Sequence, residues 1–191
     1  MMFKKTVVFG SLLLLSGFSN ADNSGRNVQE KIIVDMGAPS AKLQAKQMRE
    51  LPRPTAEVHP MAPAPALTYL QVAYVGSSNI GWEGVSGFQT STAADHGGTQ
   101  LRIVTEELGY GSIPVATWNG GVVSSAKNYQ TDTICVNWAG TGYDIPCLAG
   151  QTVVGFRKYW NFDGYQSGSF TYQNTSTNSP GNTMNDSMLV K

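Results

Sequence analysis

The C-terminal two-thirds of the chain is short of charge. Residues 67–191 hold five basic and eight acidic side chains, a net charge of −3. A nucleic-acid binder needs a basic face, and attachment to an anionic membrane by charge needs a cluster of lysine and arginine. The composition therefore argues against nucleic acid as a partner and weakens the case for electrostatic membrane binding.

The chain also lacks an apolar run long enough to span a bilayer, which takes about 20 residues. Its most apolar stretch, residues 6–18, follows Lys4-Lys5 and precedes Ser19-Asn20-Ala21. A basic start, a short apolar core and small residues before a cut are typical of a secretory signal peptide. We predict that residues 1–21 are removed after Ala21, and that the mature chain is secreted, extracellular or periplasmic, without a transmembrane segment.

Histidine and cysteine are scarce, with two of each. The spacings typical of nucleophilic serine, zinc-protease, redox-dithiol and phosphate-loop sites are absent from the sequence. Two cysteines without a nearby histidine do not form a zinc site. We therefore expect no metal and no cofactor. In an exported chain the default for Cys135 and Cys147 is a disulfide, which would close a loop of about a dozen residues.

Residues 22–66 carry charges of both signs and end in a run of spaced prolines. Proline lacks an N–H and restricts the residue before it, so this part is predicted to be a disordered or extended N-terminal extension. Residues 40–51 contain good helix formers and predict at most a short helix. Two interpretations stay open, a flexible tether and a propeptide cut near Arg49 or Arg53.

Residues 67–191 have the composition of a turn-rich β-protein, with glycine, serine, threonine and asparagine between aromatic side chains. They predict a single all-β domain, either a β-sandwich or a flattened barrel. A short helix over 85–94 is a further possibility. Strands are predicted at 67–75, 100–106, 115–118, 122–125, 133–138, 152–160, 169–175 and 187–190.

Alternation within two of these strands predicts which side chains share a face. In the first strand, Tyr69, Gln71, Ala73 and Val75 are expected on one side. In the second, Leu101, Ile103 and Thr105 are expected to face one way, and Arg102, Val104 and Glu106 the other. The dipeptide Asn119-Gly120 predicts a type I′ hairpin turn between residues 115–118 and 122–125.

His96 is the one histidine of residues 67–191 and lies in the loop sequence Asp95-His96-Gly97-Gly98. It could act as a general acid or base, with Asp95 beside it and Glu83, Glu106 or Glu107 as the orienting carboxylate. The alternative is a loop histidine that fixes a turn through hydrogen bonds to the backbone.

Glu106 and Arg102 suggest a second chemistry. Folds that transfer ADP-ribose or cleave NAD combine an arginine, a strand rich in serine and threonine, and a glutamate. The chain has Thr90-Ser91-Thr92, Arg102 and Glu106-Glu107, although the usual order places the arginine first. The alternative is that the two glutamates are a polar strand end.

Seven aromatic residues crowd into residues 156–172. Exposed tyrosine and tryptophan can stack on sugars, and their faces attract a choline cation, while a neighbouring arginine can meet a phosphate. The predicted ligand contacts are Arg157, Tyr159, Trp160 and Tyr165, and the expected partner is a cell-surface glycan or a lipid head group. The alternative is that these aromatic residues form the core.

Four short motifs support a resemblance to a known family. They are LTYL at 67–70, DHGGTQL at 95–101, ELGYG at 107–111 and FTYQNTS at 170–176. Together they resemble the YolA-like family of small secreted bacterial proteins, over most of residues 67–191. The resemblance implies a secreted, single-domain protein without an assigned catalytic residue. Some relatives carry halovibrin-type names, which would imply an NAD-cleaving exotoxin.

Two function hypotheses follow. The first is a secreted, toxin-like or binding protein that acts at a cell surface or glycan through its aromatic face. The alternative is a small secreted hydrolase, NAD glycohydrolase or ADP-ribosyl-transferring exotoxin that uses His96 or Glu106.

Overall fold

The computed structural model describes residues 36–54, 64–178 and 181–191. Almost all of its regular structure is β, as the composition predicts. One α-helix precedes the strands, and a short 3₁₀ helix, Ser125–Lys127, lies between two of them. The elements are α1 Ala41–Gln47, β1 Tyr69–Ser77, β2 Gly81–Gly84, β3 Leu101–Leu108, β4 Val115–Trp118, β5 Gly121–Val122, β6 Asn128–Val136, β7 Tyr143–Asp144, β8 Val153–Asn161, β9 Gly168–Thr175 and β10 Thr183–Val190.

The strands form two antiparallel sheets. The larger has six strands in the order β2-β1-β3-β8-β6-β7, and the smaller has four in the order β10-β9-β4-β5. The main apolar core joins side chains of both sheets, including Ile103 and Trp160 from the larger and Phe170 and Met188 from the smaller. The predicted all-β architecture is confirmed.

The larger sheet has two distinct faces. On β3, Leu101 and Ile103 belong to the core between the sheets, whereas Val104 belongs to a separate cluster. The alternation predicted for this strand is therefore confirmed. Below, the inner face of the six-stranded sheet is the one that meets the four-stranded sheet, and the outer face is the opposite one, which carries Val104 and Glu106.

The face assignment predicted for β1 is wrong at its C-terminal end. A register shift between Val72 and Tyr74 interrupts the pairing of β1 with β3. The extra residue of such a bulge reverses the alternation beyond it. Val75 therefore packs in the main core with Val72, while Tyr74 joins Val104 on the outer face.

The hairpin at Asn119-Gly120 forms as predicted. Asn119 has φ 49° and Gly120 has φ 81°, the left-handed values that a type I′ turn requires. The helix considered over 85–94 does not form. The backbone there bonds elsewhere instead: Thr92 N–H donates to the Leu189 carbonyl, and the N–H groups of Ala93 and Ala94 donate to the carboxylate of Glu83.

Residues 36–54, which we call the strap, cross the outer face from one edge of the large sheet to the other. At the β2 edge, Trp82 donates a hydrogen bond to the carbonyl of Met36, and at the β7 edge the Tyr143 hydroxyl donates to the carbonyl of Pro52 at 2.7 Å. The strap's own residues Gln47 and Leu51 are buried against the domain. This part of the predicted extension is thus packed on the domain. The signal-peptide prediction, at residues 1–21, lies outside the described residues.

Candidate functional site

Four polar side chains stand in one row across the outer face. Strand pairing sets Gln71 of β1 opposite Glu106 of β3, Glu106 opposite Arg157 of β8, and Arg157 opposite Asp132 of β6. Directly paired residues on one face of a sheet have neighbouring side chains. The register therefore assembles an amide, two carboxylates and a guanidinium from four parts of the sequence.

Glu106 and Arg157 form a buried ion pair at the centre of this row. Nε of Arg157 donates to Oε1 of Glu106 at 2.7 Å, and Nη2 lies 2.5 Å from the same oxygen. The two residues are 0% and 1% exposed. Burial raises the pKa of Glu106 above its usual range, although the charge of Arg157 opposes the shift. Burying an ion pair costs desolvation free energy, and such a pair is stable only when further hydrogen bonds satisfy its remaining polar atoms.

Aromatic side chains surround the ion pair. The guanidinium of Arg157 lies 5.5 Å from the ring centroid of Tyr74, and the Tyr159 hydroxyl donates to Oδ2 of Asp132 at 2.9 Å. Burial raises the pKa of both tyrosines, that of Tyr159 to about 12. Trp82 packs against the same cluster from β2. The outer face thus holds one charged pair with aromatic side chains around it. We call this group of residues the outer-face cluster: Gln71, Tyr74, Trp82, Glu106, Asp132, Arg157 and Tyr159.

Two buried polar atoms of this cluster have no hydrogen-bond partner among the described residues. They are the Tyr74 hydroxyl and Oε2 of Glu106. Buried polar groups in native proteins are nearly always satisfied, so each exception needs an explanation. Two exceptions in one cluster are groups that an ordered water or a ligand could satisfy.

The strap covers this cluster with neutral groups. Oε1 of Gln44 accepts a hydrogen bond from Nη1 of Arg157 at 3.3 Å, and Leu43 packs against the aromatic cluster. One turn later Gln47 donates to the Val85 carbonyl, which also accepts from Gln71. Helix α1 therefore places amides and one aliphatic side chain over a charged and aromatic surface.

Comparison with known families extends over the whole strand region. Residues 62–190 match a family described as a domain of unknown function, DUF4879. The chain belongs to the DUF4879 family. No curated protein matches it. The DUF4879 match includes every outer-face residue described above and excludes the strap. The site thus belongs to the family domain, and its cover is contributed by the segment that precedes it.

His96 lies in the DUF4879 domain but away from the outer-face cluster. Its side chain is 0% exposed, and Nε2 lies 3.1 Å from Oε2 of Glu83. The backbone N–H of His96 donates to the carbonyl of Lys191. The expected pairing with a carboxylate therefore exists, but the ring is buried and ties a loop to the C-terminus. The exposed Asp95 accepts from the N–H of Gly97 and closes the loop locally.

Burial alone would raise the pKa of Glu83, but hydrogen bonds reverse the effect. The N–H groups of Ala93 and Ala94, together with His96 and Gln89, hold the pKa of Glu83 below its usual value. A carboxylate with that many donors is an ionised anchor for the loop. This geometry supports the turn-fixing interpretation of His96.

Arg102 and Glu106 are on the same face of β3 but do not meet. Four residues along a strand separate them by about 13 Å. Arg102 instead contacts Asp163 and donates to Asn161, and its guanidinium lies 5.4 Å from the ring centroid of Tyr129. The four predicted catalytic residues therefore do not form one constellation.

The four predicted ligand contacts divide between two places. Arg157 and Tyr159 lie in the outer-face cluster, 1% and 4% exposed beneath the strap. Trp160 is in the core between the sheets, where its Nε1 donates to Thr105. Tyr165 packs against Trp118 and Phe162. These residues form no exposed aromatic face, since most of the aromatic crowding builds the core.

A second buried polar cluster lies on the inner face. Lys158 Nζ donates to Glu107 at 2.6 Å and to the Tyr172 hydroxyl at 2.7 Å, and Asn174 donates to the other oxygen of Glu107. Burial, and then the charge of Glu107, raise the pKa of Tyr172. Since each of these groups is satisfied by another, the cluster acts as a polar tie between the two sheets.

The predicted disulfide has a direct outcome. Cys135 and Cys147 form the expected disulfide. In the described part of the chain, no three histidine, cysteine, aspartate or glutamate side chains are grouped so that they could hold a metal ion. No helix among residues 36–54, 64–178 and 181–191 has the length and apolarity needed to cross a membrane.

Sequence reasoning missed three members of the outer-face site. Tyr74 was hidden by the bulge, which moves it to the face of Glu106. Gln71 and Trp82 carried no motif, and β2 was not predicted. The one usable signal was Glu106 on the polar side of an alternating strand, because a carboxylate on a face that is covered needs a cation opposite it.

Proposed function

We propose that the protein is exported and binds glycans through the outer face of its six-stranded sheet, with the strap covering that face in the form described here. The observation that carries the proposal is the pair of unpartnered buried polar atoms, the Tyr74 hydroxyl and Oε2 of Glu106, beside aromatic side chains. Sugars match such a surface because their C–H faces stack on aromatic rings while their hydroxyls hydrogen-bond to charged side chains.

The side chains of the site favour a neutral ligand. Arg157 and Glu106 balance each other, and Asp132 adds one negative charge. A vicinal diol can accept from a guanidinium and donate to a carboxylate at the same time. The two carboxylates would repel an anionic ligand more strongly than the one arginine would attract it.

The strap itself supports a more specific ligand class. The group it places on Arg157 is the side-chain amide of Gln44, and Leu43 supplies an aliphatic contact beside it. An acetamido sugar offers the same pair of features, an amide carbonyl and an apolar ring face. We therefore propose glycans that carry acetamido groups as ligands.

Export fits the disulfide, because Cys135–Cys147 would persist in an oxidising compartment. The YolA-like resemblance at residues 95–101 and 170–176 supports the same proposal of a secreted, toxin-like binding protein acting at a cell surface.

The test uses the full chain with a loosened strap, Leu43→Ser with Gln44→Ser, and oligomers of N-acetylglucosamine as the probe in calorimetry. Binding is expected, and Trp82→Ala or Tyr74→Phe should weaken it by at least tenfold, about 1.4 kcal/mol. Trp138→Ala is the matched control, since Trp138 is 71% exposed and is not part of the aromatic cluster on the outer face. Absence of binding, or equal weakening by Trp138→Ala, would refute the glycan proposal.

A hydrolase is the second candidate, favoured by the raised pKa of Glu106 and by Asp132 two strands away on the same face. Two strand spacings put the two backbones about 9.6 Å apart, and inverting glycosidases hold their two carboxyl groups about 6.5–9.5 Å apart. Glu106 would protonate the leaving oxygen, which requires that the substrate breaks its ion pair with Arg157 and that the carboxyl takes up a proton. Asp132 would take a proton from the attacking water. Release of reducing ends by the strap-loosened chain, lost in Glu106→Gln, tests it. NAD cleavage in the same assay tests the NAD glycohydrolase alternative.

A further inference from the structure

The basic residues of the strap differ in how readily a protease could cleave the peptide bond that follows each of them. A protease needs an accessible segment that can become extended, so bonds inside a helix are poor substrates. Proline after a basic residue removes the N–H and fixes φ, which also hinders cleavage. Lys42 and Lys46 lie inside α1, Arg53 precedes Pro54, and Arg49 lies in the turn after the helix.

The bond between Arg49 and Glu50 is accessible. Both residues are exposed, and they lie in the turn that ends the helix. Their N–H groups make single bonds to the carbonyls of Lys46 and Gln47. A groove of about 590 Å³ runs from Arg49 along the end of the strap to the loop at Tyr143. The two residues at the bond are not packed, whereas Gln47 and Leu51 on either side are buried, so the strap must lift locally before it is cut.

We propose that the strap is an occluding prosegment and that the Arg49–Glu50 bond is its processing site, cut by a trypsin-like protease. The inference rests on the proposed function, because it assigns the outer-face cluster as the site that the strap covers. Hydrolysis adds one water across the peptide bond. The C–N bond breaks, Arg49 gains a carboxylate, and Glu50 gains an ammonium group.

The cut separates the covering helix from the domain. The contacts of α1 with the sheet centre on Leu43, Gln44 and Gln47. A free helix of this length is marginal in water, and the cut removes the high effective concentration that covalent linkage gives. The helix is therefore expected to leave. Leu51 stays with the domain, held by its burial beside Tyr143.

The test is limited trypsin digestion of the purified full chain, followed by mass spectrometry. The expected product is a domain fragment that begins at Glu50. Nitration of tyrosines with tetranitromethane, mapped on the same samples, reports whether the site opens. Tyr74 and Tyr159 should be protected before the cut and modified after it. Tyr129, 47% exposed, should be modified in both samples, and the fully buried Tyr172 in neither.

Two matched variants locate the cut. Arg49→Gln should remove the fragment and keep Tyr74 and Tyr159 protected, whereas Arg53→Gln should be cut like the original chain. The uncut double variant Leu43→Ser, Gln44→Ser should show the nitration pattern of the cut protein. A fragment that begins elsewhere, or a cut after Arg49 that leaves both tyrosines protected, would overturn the proposal.

Binding of N-acetylglucosamine oligomers separates this proposal from the one on which it rests. If the cut exposes Tyr74 and Tyr159 but no oligomer binds, the prosegment stands and the glycan function fails. If the uncut chain binds the oligomers as tightly as the cut chain, the glycan function stands and the prosegment fails.

Discussion

Arg157 donates a hydrogen bond of 3.3 Å to the side-chain amide of Gln44, which joins the strap to the buried ion pair of the outer face. The partner on the other side, Glu106, keeps one oxygen without a hydrogen bond among the described residues. The strap therefore satisfies the arginine in part and leaves the carboxylate incomplete. A cover that only half-satisfies the surface beneath it is suited to be exchanged for a ligand.

The ion pair should dominate the stability of this face. Arg157→Met leaves Glu106 buried without its cation, so we expect a loss of about 3–5 kcal/mol in the free energy of unfolding. Adding Glu106→Gln should recover part of that loss, because no buried charge then remains. Urea unfolding of both single variants and the double variant measures the coupling.

The control for this cycle is the more exposed pair of Arg102 and Asp163. Breaking it should cost no more than about 1 kcal/mol, since water screens the two charges. Equal losses at the two pairs would contradict the assignment of Arg157 and Glu106 as a strongly coupled buried pair.

Substitution by phenylalanine should mainly lower stability at Trp160 and mainly lower glycan affinity at Trp82. Trp160→Phe removes a core hydrogen bond to Thr105 and should lower stability by about 1–3 kcal/mol without changing glycan affinity in the strap-loosened chain. Trp82→Phe should lower affinity with a smaller effect on stability, since Trp82 is half-buried at the sheet edge. Calorimetry measures the affinity of both variants and urea unfolding measures their stability. A loss of binding in Trp160→Phe would show that Trp160 is a ligand contact.

The fold was predictable because its signals are local. Alternation along β3 fixed its two faces, and Asn119-Gly120 fixed a hairpin, so residues within a few positions of each other carried the information. β2 and β7 were missed because they have only four and two residues. Strands that short show no period to detect, and no Asn-Gly turn marks these two as it marks the equally short β4 and β5.

The site was not predictable for the opposite reason. Glu106 and Arg157 are 51 positions apart and meet only because β8 pairs with β3 in one register. The bulge in β1 then decides that Tyr74 joins them. The sequence named Glu106 and Arg157 for separate roles, and nothing in their local patterns indicated that they form one cluster.

Gly109 should be far less replaceable than Gly140. Gly109 has φ +93°, and a Cβ there would overlap the carbonyl of Ala66. Gly140 has φ +68° with no atom within 4 Å of a Cβ. Gly140→Ala should cost about 1–2 kcal/mol from backbone strain alone, while Gly109→Ala should exceed about 4 kcal/mol. Thermal unfolding of both variants compares them, and similar losses would show that the approach of residue 66 is not tight.

The loop that His96 anchors should give the protein an acid-sensitive step in stability. The pKa of Glu83 is held below its ordinary value of 4.5 by the N–H groups of Ala93 and Ala94, with His96 and Gln89 also contributing. A carboxyl with a lowered folded-state pKa contributes stability above its unfolded pKa and loses it as the pH falls through the folded value.

Glu83→Gln should therefore cost about 1–3 kcal/mol near neutral pH, and the difference from the original chain should shrink as the pH falls below about 4.5. His96→Gln is the matched variant. It should lower stability but keep most of the acid step, because the two backbone donors to Glu83 remain. Urea unfolding between pH 3 and 7 measures all three proteins. A Glu83→Gln profile parallel to the original would show that another carboxyl controls the acid step.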